Sequence, residues 1–172
     1  VSEVGAIELK GLGKEIRSLN ESIAELDREL AERGKNLRGH RNLSSIKGVG
    51  DKSATILLSV IGDIQDFASA KKLAAYFGIA PRVEVSNDTR HYGRITKTGT
   101  KIGRTTLVQC TWVAIRYSPY LRGFYERMKA GKGAGKAIIA TARKLLGIIY
   151  DTLKHDWVFK DFSRFEIESE VA

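Results

Sequence analysis

A chain of 172 residues and 19.0 kDa has room for one compact domain with an appendage. Its formal net charge of +9 favours a polyanionic partner, and no apolar run approaches the roughly 20 residues that span a bilayer, so no membrane association is expected. The single cysteine, Cys110, excludes an internal disulfide and fits a reducing compartment, which makes a cytoplasmic location the expectation. The start at Val1, with no signal-peptide pattern, reads as a processed chain or a fragment.

The first predicted element is a heptad helix. Leu9, Leu12, Ile16, Leu19, Ile23, Leu26 and Leu30 recur at alternating spacings of three and four, which places them on one seam. The pattern suits a coiled-coil arm that joins copies of the chain, or equally a helix docked on its own domain. Gly34 is expected to end it as a C-cap. Residues 1–36 are therefore read as a coiled-coil or linker segment, 37–156 as the main domain and 157–172 as an acidic tail that frays or docks loosely.

A short helix over 37–46 leads into Ile46-Lys47-Gly48-Val49-Gly50-Asp51-Lys52-Ser53-Ala54. Two glycines flank one apolar residue between two helix-patterned runs, which is how a helix-hairpin-helix unit reads. Glycine lets the backbone turn sharply and expose N–H groups at the start of the second helix, where the dipole favours an anion. Gly48, Val49, Gly50 and Lys52 are accordingly candidate nucleic-acid contacts. The second helix runs from Ala54 to a stop at Gly62. Asp66 is expected to cap the next helix, from Phe67 to Phe77, which Gly78 and Pro81 end.

Residues 82–103 lack helical periodicity. Val83 and Val85 alternate with polar neighbours, and the segment reads as an extended basic loop or weak hairpin, partly mobile. Helix returns over Arg104–Tyr117, with Leu107, Val108, Thr111, Trp112 and Ile115 on one face. It restarts at Ser118-Pro119, through Leu121, Phe124, Tyr125 and Met128. A Gly/Lys connection over 129–136 precedes a last core helix marked by Ile138, Ala142, Leu145 and Ile149. The fold class that results is mainly α: a helix-hairpin-helix-containing domain with an extended basic loop and an N-terminal coiled-coil helix.

Charge is unevenly spread along these elements. Six Lys/Arg face two acids over 82–104, and seven face one over 122–144, whereas the tail from Asp161 is acidic. Such clustering points to a nucleic-acid face, although a solvated surface explains many charge runs. The stretch from Gly131 to Lys136 imitates a phosphate loop, but Ala130 and Ala137 stand where such a loop needs Gly and Ser or Thr. His40, His91, His155 and Cys110 have no metal-ligand spacing. Asp63 and Asp66 read as helix caps rather than as a metal pair. Arg90, His91 and Tyr92 are adjacent, so they do not converge on one phosphate as the dispersed residues of tyrosine recombinases do. Ser86, beside Asn87 and Asp88, is ordinary turn chemistry on spacing alone. A serine attacks phosphorus only when deprotonated or when cations polarise the phosphate.

Taken in order, Ile46–Gly50, Ala74–Pro81, Ser86, Gly93–Gly99, Phe124–Arg127 and Ala140–Leu146 resemble the C-terminal transposase domain of the IS110/IS116/IS902 insertion-sequence transposases. The resemblance covers about residues 37–155, and the heptad helix matches the coiled coil that precedes that domain. It implies the C-terminal part of a longer transposase whose N-terminal RuvC-like domain binds Mg²⁺ through acidic residues, with no cofactor or metal in the present part. It further implies DNA and a structured guide (bridge) RNA as partners, and homo-oligomers formed through the coiled coil. In the family a serine is thought to attack DNA, and Ser86 matches it. Asn87 stands where a glycine usually follows, and Asn tolerates the left-handed conformation. Arg90, Arg94, Lys97, Lys101 and Arg104 would position the phosphates or offset their charge. Two other classes compete: a non-catalytic nucleic-acid-binding module, and an assembly element in which the heptad helix alone matters.

Overall fold

The computed structural model describes residues 2–86 and 89–159. Their elements, in order, are α1 (Glu3–Lys35), α2 (His40–Ser44), α3 (Asp51–Ile61), a 3₁₀ turn (Ile64–Asp66), α4 (Ala70–Tyr76), β1 (Pro81–Ser86), β2 (Thr89–Ile95), α5 (Lys101–Tyr117), α6 (Pro119–Lys132) and α7 (Ala134–Lys154). The protein is thus mainly α, with one small antiparallel sheet.

α7 is the axis of the fold. Its buried stripe includes Ile138, Ala142, Leu145 and Ile149, at the spacing read from the sequence, and the helix touches α2, the 3₁₀ turn, α4, α5 and α6. Leu43, Ile46, Leu57, Leu73, Phe77, Leu107 and Leu121 complete one core with it. Pro119 opens α6, with Ser118 capping the Leu121 N–H at 3.1 Å.

Several expected boundaries move, each for a local reason. Gly34 is not a C-cap: α1 continues to Lys35, and Asn36 closes it through bonds to the Arg33 and Gly34 carbonyls. Gly34 is instead buried against α3, where an added Cβ would stand 1.8 Å from Thr55 Oγ1. The short helix before the glycine turn spans only His40–Ser44. Asp66 does not cap α4; Ser69 does, accepting from the Lys72 N–H, and Asp63 caps the 3₁₀ turn. The glycines over 129–136 break the chain only at Gly133, whose φ of +78° separates α6 from α7. Trp112 does not share the buried face of α5 but lies 44% exposed, its ring edge-on to Tyr125.

The seam of α1 is uncovered. Leu9, Leu12, Ile16, Leu19, Ile23, Leu26 and Leu30 are all 43–62% exposed. The helix docks through a neighbouring stripe near its C-terminus, where Asp27 and Ala31 are half-buried and Gly34 is buried. Asp27 pairs there with Lys52 of α3 at 2.6 Å. At the other end of the chain the first tail residues, 157–159, lie against α2 and the turn after it. The Asn42 amide donates to Asp156 Oδ1 and to the Trp157 carbonyl, and the Phe159 N–H donates to Ser45 Oγ at 2.7 Å. Residues 160–172 lie outside the described part.

Candidate nucleic-acid interface

Two groups of predicted contacts fall on two different turns. The first turn joins α2 to α3. It closes through Val49 N–H to the Ile46 carbonyl at 2.9 Å. Gly48 has φ +106°, and a Cβ there would lie 2.7 Å from the backbone nitrogen of Ala114 in α5, so both its handedness and its packing require glycine. Val49 puts its side chain into the core and presents only backbone. Gly50 is the outward member: it precedes α3 in extended geometry, no side chain caps the helix, and a Cβ would meet open space.

The start of α3 is therefore an accessible set of N–H groups, but it has neighbours. Asp51 lies in the first turn and accepts from Ser44 Oγ at 3.2 Å, while the buried His40 reaches the Asp51 carbonyl at 3.4 Å. Asp51 already puts negative charge at the positive end of the helix. Lys52 is engaged by Asp27, so its ammonium ties α1 to α3.

The second turn is the basic segment, which the structure forms into a β-hairpin. β1 and β2 pair antiparallel, with Val83 opposite Tyr92, Val85 opposite Arg90 and Ser86 opposite Thr89. The register slips between Pro81 and Val83, which accommodates one extra residue on β2. Ser86 ends β1 at the last described pair of the ladder, and Arg90 is in the next pair. The side chains of Ser86 and Arg90, and residues 87 and 88 altogether, lie outside the described part.

The base of this hairpin is strapped to the end of α4. Thr96 N–H donates to the Ala80 carbonyl and Lys97 N–H to the Gly78 carbonyl, both at 3.0 Å. Gly99 crosses so close that a Cβ would sit 2.0 Å from the Tyr76 carbonyl oxygen. Arg104 reaches back from α5 to donate to the carbonyls of Phe77 (3.3 Å) and Gly99 (3.0 Å), which makes it a clamp on the strap. Arg94, Lys97 and Lys101 are exposed, and no carboxylate among the described residues pairs with them.

The two turns do not converge. α5 runs antiparallel to α3: Gly103 packs on Val60 near the end of α3, Cys110 meets Ser53, and Ala114 meets Gly48 before its start. Eleven residues of helix separate Gly103 from Ala114, or about 16 Å at 1.5 Å per residue. Burial pushes the Cys110 thiol above its ordinary range, with the Ser53 hydrogen bond offsetting part of the shift. Among the described residues no group of three or more His, Cys, Asp or Glu could hold a metal ion. No described helix is long and apolar enough to cross a membrane.

These features define a basic, mainly helical domain with one β-hairpin and one long helix whose apolar seam is exposed. The chain belongs to the transposase IS116/IS110/IS902 family, whose model matches residues 40–126, from α2 into α6. It is similar to the pilin gene-inverting protein of Moraxella lacunata, at 38% identity over 68% of this chain and 37% of that protein. An uncharacterized 42 kDa protein of insertion element IS900 from Mycobacterium paratuberculosis is 30% identical over 91% of this chain and 40% of its own length. An uncharacterized 43.6 kDa protein of insertion element IS110 from Streptomyces coelicolor is 29% identical over 76% and 32%. The chain thus spans well under half the length of these relatives.

Proposed function

We propose that this chain works as the C-terminal, DNA-binding and serine-nucleophile domain of a longer insertion-sequence transposase. The observation that carries this reading is the position of Ser86 at the end of β1, on a hairpin whose second strand, strap and following helix start carry Arg94, Lys97 and Lys101, three exposed cations with no carboxylate partner among the described residues, inside the family-matched segment. Ser86 Oγ attacks the scissile phosphorus. One O–P bond forms, the bond to the leaving sugar oxygen breaks, and the serine proton passes to a base while the leaving oxygen takes one up. A sugar hydroxyl of another strand then reverses the step and frees Ser86, so no phosphodiester energy is lost. Arg90, Arg94, Lys97 and Lys101 hold the phosphates and offset charge on the pentacoordinate phosphorus. Arg104 acts one step away, by fixing the strap that bears Lys97.

Mg²⁺ belongs, in this proposal, to an acidic cluster on another domain, as the family resemblance implies. DNA and a structured guide RNA are the partners, and the uncovered seam of α1 joins copies of the protein. The domain by itself is expected to be inactive in strand exchange.

The test uses the complete transposase with its cognate DNA and RNA, in wild type and Ser86→Ala. A denaturant-resistant protein–DNA adduct that maps to Ser86 and vanishes in the variant supports the nucleophile. Recombination without an adduct, retained in Ser86→Ala, leaves the second reading, a non-catalytic binding module. For that second reading the start of α3 offers N–H groups that no side chain caps, with the Asp51 carboxylate beside them.

A further inference from the structure

A third surface lies away from both turns. α4, α6 and α7 enclose an open cleft of about 370 Å³. Its floor is apolar, made by Ala70, Ala74, Met128 and Ala140, with Phe124 on the wall. Its rim carries Lys71, Arg143 and Lys144, and no acid lines it. None of these residues belongs to the glycine turn or to the basic hairpin.

The rim charges differ in how they are held. Lys144 is fixed, its ammonium 4.8 Å from the Tyr120 ring centroid and 4.6 Å from that of Phe124. Lys71 and Arg143 are exposed and have no ion-pair or hydrogen-bond partner among the described residues. Lys136, four residues before Ala140, and Lys132, four after Met128, continue the positive stripe towards the α6–α7 break at Gly133. The acid of α6, Glu126, pairs with Lys129 at 3.7 Å instead.

We propose that this cleft binds a single polynucleotide strand, an inference that rests on the nucleic-acid role given above. Cations on a rim over an apolar, aromatic-walled floor match a strand whose phosphates face outward and whose sugars and bases turn in. A duplex presents a convex wall of phosphates and keeps its base faces stacked inside, so it cannot use such a floor. An acidic peptide would satisfy the rim and leave the floor without a matching face.

The test is fluorescence anisotropy of the whole 172-residue chain with labelled dT12 and with a 12-base-pair duplex, over a series of salt concentrations. Lys71→Gln/Arg143→Gln is compared with wild type and with the hairpin variant Arg94→Gln/Lys97→Gln. Circular dichroism melting confirms that these exposed substitutions leave the fold intact. The cleft variant is expected to bind dT12 about tenfold more weakly, with the slope of log affinity against log salt reduced by about 1.4, from about 0.7 per single-strand contact. Its duplex affinity should stay within about twofold of wild type. Unchanged dT12 affinity and slope would overturn the proposal. So would an equal loss on the duplex, absence of dT12 binding by wild type, or displacement of dT12 by polyglutamate of equal charge as readily as by unlabelled dT12. If wild type binds dT12 but no duplex, the hairpin reading falls and the cleft stands. If the hairpin variant loses the duplex and the cleft variant loses nothing, the cleft falls and the hairpin reading stands.

Discussion

At the scale of single residues, identity matters most where two backbones meet. Gly34 and Gly11 are both glycines inside α1, but Gly34 is pressed against Thr55 whereas a Cβ at Gly11 would meet nothing within 4 Å. Gly34→Ala is expected to lower stability by about 1–3 kcal/mol, the usual range for overpacking. Gly11→Ala should raise it by roughly 0.5–1 kcal/mol through helix propensity. Urea unfolding of the two variants would show the opposite signs. Adding Thr55→Ala to Gly34→Ala should recover part of the loss, because it removes the Oγ1 and Cγ2 atoms and leaves the Cβ at 2.9 Å. Cys110 gives a second residue-level expectation. It is 2% exposed and its thiol is shifted upward by burial, so little thiolate is present or reachable at neutral pH. Iodoacetamide should leave the folded chain unmodified and label it once denaturant is added; rapid native labelling would contradict that packing.

At the scale of elements, α1 stands out because its 33 residues touch the domain only near one end. In the proposed assembly role, this uncovered Leu/Ile seam pairs with that of another copy. Replacing Ile16 and Ile23 by Gln removes two seam residues without touching Asp27, Ala31 or Gly34. Sedimentation is expected to show the wild-type chain as a self-associated species and the double variant as a single copy with the same folded domain. A single-copy wild type at micromolar concentration would remove the assembly role of the helix. The β-hairpin is the other projecting element, and its position depends on the strap at 96–99 and on Arg104 rather than on its own short ladder.

At the scale of the whole molecule, the antiparallel pairing of α3 and α5 sets the glycine turn and the basic hairpin about 16 Å apart along the helices, close to the rise of five base pairs at 3.4 Å each. If the proposed nucleic-acid role holds, two probes separate their contributions to duplex binding. Arg94→Gln/Lys97→Gln removes two cations and should reduce the salt slope by about 1.8. Gly50→Val has room and an ordinary φ, so it should weaken binding by blocking the α3 N–H groups while leaving the slope unchanged. An unaltered affinity in Gly50→Val would confine duplex contact to the hairpin.

Much of this architecture is legible in the residues alone. The heptad spacing of α1, the four-three-four stripe of α7, the Ser118-Pro119 restart and the glycine turn before α3 are local patterns, and local patterns follow from helix periodicity and capping chemistry. The ordered motifs from Ile46 to Leu146 also carried the family. What they could not contain is which partner each side chain meets. Gly34 looks like a helix stop until Thr55 is placed beside it, and Lys52 and Arg104 look like free phosphate contacts until Asp27 and the Phe77 and Gly99 carbonyls engage them. Likewise Lys71, Phe124 and Lys144 are far apart in sequence, and only the packing of α4 and α6 on α7 assembles them into one cleft. Periodicity acts over a few residues and is written along the chain. Ion pairing, close backbone approach and cleft formation depend on distances between remote segments, which tertiary packing alone decides.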